Sequence, residues 1–193
     1  MAANFEVTLF VNQLACYTKY ISLFHCLNGD FILDEMLVID NWEYENQRKL
    51  NLDVSHYEIV DLINNGKIIM AYGHLNEKHR CGFILHKVNS IYEITLWTST
   101  KELPFLDSII SGDNEHIYRD ITNHVVKELS DDLILCGIGS ETSIHYSDAI
   151  ADVMQSSHNV FEWISPKDAI IQMDIYVKSE LNNCHVWRLA RPQ

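Results

Sequence analysis

Gly82-Phe-Ile-Leu-His-Lys-Val88-Asn89-Ser90-Ile91-Tyr-Glu-Ile-Thr-Leu-Trp97-Thr98 reads as two β-strands joined by a two-residue turn. A connection as short as Asn89-Ser90 returns the chain alongside itself, so residues 82–88 and 91–98 predict an antiparallel hairpin. A second hairpin is expected near the end of the sequence. There Ile171, Met173, Ile175 and Val177 alternate with Gln172, Asp174 and Tyr176, and after Leu181-Asn182-Asn183 the chain returns through Val186-Trp187-Arg188-Leu189. Near the start, Phe5, Val7, Leu9 and Val11 alternate with Glu6 and Thr8, the pattern of a strand with one wet side. Residues 31–39 form another strand candidate, weakened by Asp34 and Glu35. Residues 67–72 and 133–138 are apolar runs of strand length.

Three helices are expected between these strands. Ser55, with Glu58 three residues on, makes a capping box for a helix over 55–65, and Gly66 can take the left-handed conformation that ends it. Asp113 can cap a helix running to Leu129, with Ile117, Ile121, Val125 and Leu129 on one line. Ala149, Ile150, Val153 and Met154 support a shorter helix over 147–155. Residues 14–27 fit helix and strand equally. The order of elements predicts an α+β fold, a mainly antiparallel sheet with about three helices grouped on it. Helix, strand and hairpin recur in both halves, where Lys67-Ile-Ile-Met-Ala-Tyr-Gly73 echoes Leu133-Ile-Leu-Cys-Gly137. The chain is therefore read as one two-lobed unit over 1–193, the two αβ lobes similar, with a lobe boundary near 101–113.

Composition narrows the function. Of 193 residues 47% are hydrophobic and 21% charged, a globular balance. The 27 acids against 14 bases give a net charge of −13, which repels phosphate backbones and anionic lipid. No nucleic-acid or membrane partner is expected. Before Lys19 there is no base, and Glu6 interrupts the apolar start, so no secretory signal is expected. No 18 apolar residues run without charge. Five widely spread cysteines, Cys16, Cys26, Cys81, Cys136 and Cys184, show no CxxC spacing and fit a reduced, cytoplasmic protein without disulfides.

Candidate chemistry is sparse. His74, His79, Cys81 and His86 fit no standard zinc spacing, and 74–80 reads as a polar loop, so neither metal nor cofactor is expected. His25 and Cys26 are neighbours that point apart, while Cys81 or Cys136 would need a distant histidine to become nucleophilic. Gly137-Ile-Gly139-Ser140 reads as a tight strand-to-helix turn, where backbone N–H groups could meet a phosphate. It has neither the third glycine of a dinucleotide site nor a P-loop lysine, and Glu141 would repel the anion. Ser140, Ser143 and Ser147 lie in no nucleophile elbow.

Charge patterning carries more. Between Asp30 and Asp61 there are nine acids and only Arg48 and Lys49 as bases. Within this block Asp40-Asn41-Trp42-Glu43-Tyr44-Glu45 alternates rings with carboxylates, a composition suited to gripping a basic protein. The expected partner-binding face is Asp40, Trp42, Glu43, Tyr44 and Glu45, supported by Asp34 and Glu35. In its acidic blocks, this ring-and-carboxylate stretch and its lack of a signal segment, the chain resembles the immunity proteins of bacterial polymorphic toxin systems, contact-dependent or type VI secreted. The resemblance is one of overall character and transfers no functional residue. It implies a non-enzymatic inhibitor that covers the active site of one cognate toxin domain, often a basic cleft. Two other readings stay open: a small cytoplasmic transferase or hydrolase using a Cys–His pair or the Gly137 turn, and an adaptor or assembly subunit.

Overall fold

The computed structural model describes residues 4–27, 29–76, 78–99, 115–144, 146, 150–168 and 175–189. The expected lobe boundary, the Asp113 cap, the start of the 147–155 helix and the Ile171–Met173 alternation lie outside them. One sheet of ten strands organises the molecule, in the order β3-β2-β4-β5-β6-β1-β7-β8-β10-β9, and every pairing is antiparallel among the described residues. The strands are β1 (Asn4–Val11), β2 (Phe31–Ile39), β3 (Arg48–Leu50), β4 (Ile68–Leu75), β5 (His79–Val88), β6 (Ile91–Ser99), β7 (Leu133–Ser143), β8 (His158–Pro166), β9 (Tyr176–Leu181) and β10 (Cys184–Leu189). With its helices this is an α+β architecture.

The deciding hairpin forms as read. Val88 pairs with Ile91, and Asn89 takes the left-handed φ of 56° that a two-residue turn requires. The terminal hairpin closes likewise: Leu181 pairs with Cys184, and Asn182 has φ 50°. Ser55 caps α2 (His56–Asn64) by accepting the Glu58 N–H at 3.2 Å, and Gly66 follows at φ 78°. Within residues 14–27 the chain is helical from Tyr17 on, α1 (Tyr17–Ile21) followed by a 3-10 helix over Ser22–Leu27. α3 (Glu115–His124) runs on as a π-helix over Val125–Leu129, with Ile117, Ile121, Val125 and Leu129 all buried. α4 (Ile150–Ser156) buries Val153 and Met154.

Strand alternation assigns the two faces. Leu9, Phe83, Leu85, Ile94 and Cys136 face α1, α2, α3 and the 3-10 helix, forming the main core. Phe10, Leu135, Trp163 and Trp187 face the other way and meet α4. This corrects the expectation that β1 has a wet side: Thr8 and Phe10 are 2% and 0% exposed. β1 lies in mid-sheet between β6 and β7, with cover on both faces. A third apolar group, Leu37, Ile39, Ile68 and Met70, lies on that second face toward the β2 end.

Two further readings are corrected. β7 continues to Ser143, so Gly137–Ser140 lies inside a strand and forms no turn into a helix. The glycines are there for close packing: a Cβ on Gly137 would come within 2.9 Å of the Trp163 ring, and one on Gly139 would overlap the Asn159 carbonyl oxygen. His74 to Arg80 is a tight hairpin instead of a polar loop, since Leu75 pairs with His79 and His74 sits within β4.

Candidate partner-binding face

Residues 40–47 connect β2 to β3, and their own hydrogen bonds shape them. The Asn41 side-chain oxygen accepts the Glu43 N–H at 3.0 Å and the Glu45 N–H at 3.4 Å, while its amide donates to the Glu45 carboxylate at 2.7 Å. Such side-chain capture of following amides is what asparagine does in turns. Tyr44 and Asn46 adopt φ of 60° and 49°, folding the chain back so that the Asp40 N–H reaches the Glu45 carbonyl. At the base of the loop, Asp40 accepts from Lys67 Nζ and from the Asn46 amide, each at 2.8 Å. The Lys67 bond first, then Asn46, holds the Asp40 carboxyl below its ordinary range.

The loop holds both rings at the surface. Trp42 is 54% exposed and Tyr44 50%, and Trp42 stands edge-on to the His86 ring at 5.1 Å. Among the described residues no side chain pairs with the Glu43 carboxylate, which is exposed. The other carboxylates of the expected face are engaged within the molecule. Glu35 pairs with Lys49 at 2.5 Å, Asp34 meets His74 Nδ1 at 2.7 Å, and Asp40 and Glu45 serve the loop itself. These intramolecular bonds fix the carboxylates in position, at the cost of some of their capacity for a partner.

Asp34 lies where the β2–β4 register slips between Leu33 and Glu35, the extra residue of a bulge. That slip is why two acids are accommodated in this strand. Glu35 pairs with Tyr72, putting it on the second face with Met70 and Ile68. Burial, and then the neighbouring Tyr44 and Glu35, raise the Tyr72 phenol above its usual range. Beside them an open depression of about 410 Å³ is lined by Asp34, Tyr72, His74, Arg80 and Trp97, among others. Tyr72, His74, Arg80 and Trp97 were not singled out for this face from sequence. Their common signal is strand parity: Tyr72 and His74 alternate along β4, and register sets Gly82 and Trp97 beside them.

The alternative centres look different. Cys81 and Cys136 are both fully buried, and burial, with the Glu162 charge next, pushes the Cys136 thiol well up, away from a reactive thiolate. Burial, then the Asp120 charge, raises the Cys26 thiol to about 11, and His25 turns toward Asp30 at 3.5 Å. Cys16 is exposed. His86 faces Glu93 at 3.4 Å. Among the described residues no three His, Cys, Asp or Glu side chains converge as a metal site, and no helix is long and apolar enough to cross a membrane. No protein-family model, curated protein or solved structure matches the chain.

Proposed function

We propose that this protein is an inhibitory binding protein of the immunity type, acting in the cytoplasm without catalysis of its own. It covers the active site of one cognate bacterial toxin domain with the face built on Trp42, Glu43, Tyr44 and Glu45, flanked by Asp34, Glu35 and Asp40. The observation that carries the reading is the 40–47 loop. A segment fixed by its own hydrogen bonds, holding two large aromatic rings about half exposed among carboxylates, loses little entropy on docking. Its net negative surroundings favour a basic cleft over nucleic acid or anionic membrane. We also read the chain as one two-lobed working unit, because a single sheet runs through strands from both halves.

Asp40 is a positioning residue in this scheme, so the direct contacts are tested by Trp42→Ala and Glu43→Lys. The probe is the toxic C-terminal domain encoded immediately upstream of this chain's gene. Co-expression of the wild-type chain is expected to restore growth, and each variant to bind the domain at least about tenfold more weakly with an unchanged circular dichroism spectrum. An upstream frame without such a domain, or equal affinity of both variants, overturns the reading.

A further inference from the structure

The far end of the sheet differs from the rest of the molecule. Its described residues, 167–168 and 175–189, carry three bases, Lys167, Lys178 and Arg188, against two acids, Asp168 and Glu180, while the whole chain stands at −13. Two acidic molecules can approach each other most closely at an end that lacks the excess of acids. β9 is the terminal strand here, and among the described residues no strand pairs with its outer edge. Residues 177–180 are all exposed, Val177 at 62%, and Ile175 just before them at 60%. An edge strand of this kind presents a free row of N–H and C=O groups.

Hairpin geometry determines which groups these are. The two-residue turn makes Leu181–Cys184 the closing hydrogen-bonded pair, so residues 177, 179 and 181 bond to β10. The backbone groups of 176, 178 and 180 therefore point outward. A second copy related by a two-fold axis perpendicular to the sheet keeps the faces matched, and even-numbered residues then pair only with even-numbered ones. Centring that axis on Lys178 or on Glu180 would oppose like charges. Centring it on Ser179 sets Lys178 opposite the second copy's Glu180, Glu180 opposite its Lys178, and Val177 opposite its Leu181. Opposite charges and apolar groups fall together in that one register.

We propose that β9 is a self-association edge, where two copies of this chain join antiparallel about Ser179 into one continuous sheet. Lys178 already lies 5.2 Å over the Trp187 ring, and Glu180 is held by Lys167 at 3.0 Å, so both charges stand on the face where they would meet their partners. The 40–47 loop hangs at the opposite end of the sheet, and the dimer leaves it free. The inference is independent of the proposed toxin-binding function.

The test needs no ligand: analytical ultracentrifugation of the full chain, with Lys178→Glu and Glu180→Lys made separately. The small contact places the dimer in the weak class, populated at about 200 μM and lost on dilution. Each variant alone is expected to dissociate at least about tenfold more readily, while an equimolar mixture, with every Glu opposite a Lys, associates again. A wild-type monomer at that concentration overturns the proposal. So does a dimer unaffected by Lys178→Glu, or a mixture that stays monomeric. Amide hydrogen exchange in the wild type gives a second readout should either variant misfold. Lys178 and Glu180 amides should gain protection with concentration, and the Ser179 amide should not; equal behaviour of the three sinks the register.

Discussion

Glu162 is 2% exposed at mid-strand in β8, and its surroundings explain how the fold tolerates it. Arg188 Nε donates to one carboxylate oxygen at 2.6 Å and the Thr122 hydroxyl donates to the other. Burial raises the Glu162 pKa above its ordinary 4.5 and outweighs the two bonds, which lower it. Raised in the fold, this carboxyl contributes most to stability below 4.5, and the contribution is lost as pH climbs through its folded value. Glu162→Gln should therefore gain in melting temperature relative to wild type between about pH 4 and about pH 7. A difference independent of pH would refute this account. Arg188→Ala removes the cation and one of the two donors from the buried carboxyl, and should cost about 2 kcal/mol in urea unfolding at neutral pH. Adding Glu162→Gln to Arg188→Ala should recover most of that loss, since no ionisable group is then left buried without its cation.

At the level of elements, β7 and β8 show why some pairings leave no room for a side chain. Their register slips between Ile138 and Gly139, and the Asn159 carbonyl, carried on a residue at φ 60°, comes up against the Gly139 Cα. Gly139→Ala should destabilise by at least about 3 kcal/mol, because the obstacle is backbone and cannot turn aside. Gly66→Ala should cost only about 1–2 kcal/mol, the penalty of the left-handed conformation alone, since nothing lies within 4 Å of the added methyl. Urea denaturation of the two variants checks the contrast, and similar losses would count against it. The same comparison shows what was readable beforehand. Elements whose determinants are local were legible: the Asn89-Ser90 turn, the Ser55 cap and the α3 stripe. β8 is not legible in the sequence because Glu162 breaks its alternation, and the charge makes sense only with Arg188 and Thr122 in place, each more than 20 residues away. Gly137-Ile-Gly139 looked like a turn because glycine marks turns and close approaches alike, and only the opposing strand tells which. On the candidate face, the 40–47 residues were legible from composition, while Tyr72, His74 and Trp97 join them through register that no single segment encodes.

Taken whole, the molecule is electrically lopsided along its sheet. The β2–β3 end carries the block from Asp30 to Asp61, with nine acids and two bases, while the described residues 175–189 at the β9 end carry Lys178 and Arg188 against Glu180. A charge field of this form acts at distances beyond contact, where it can guide a basic partner toward the 40–47 loop, and it fades over about 8 Å at physiological salt. Trp42 and Tyr44 act only at contact. The proposed inhibition therefore divides by rate constant. Raising salt from about 50 mM to about 500 mM should slow association with the toxin domain at least about tenfold and change dissociation less than about threefold. Glu43→Lys should reproduce the salt effect, lowering the association rate, because its carboxylate is exposed and unpaired among the described residues. Trp42→Ala should instead speed dissociation, since the ring contributes buried area and no net charge. Stopped-flow mixing at several salt concentrations separates the two. Salt acting mainly on dissociation, or Trp42→Ala acting mainly on association, would mean that the charged end does not steer the partner and that the loop is not where it docks.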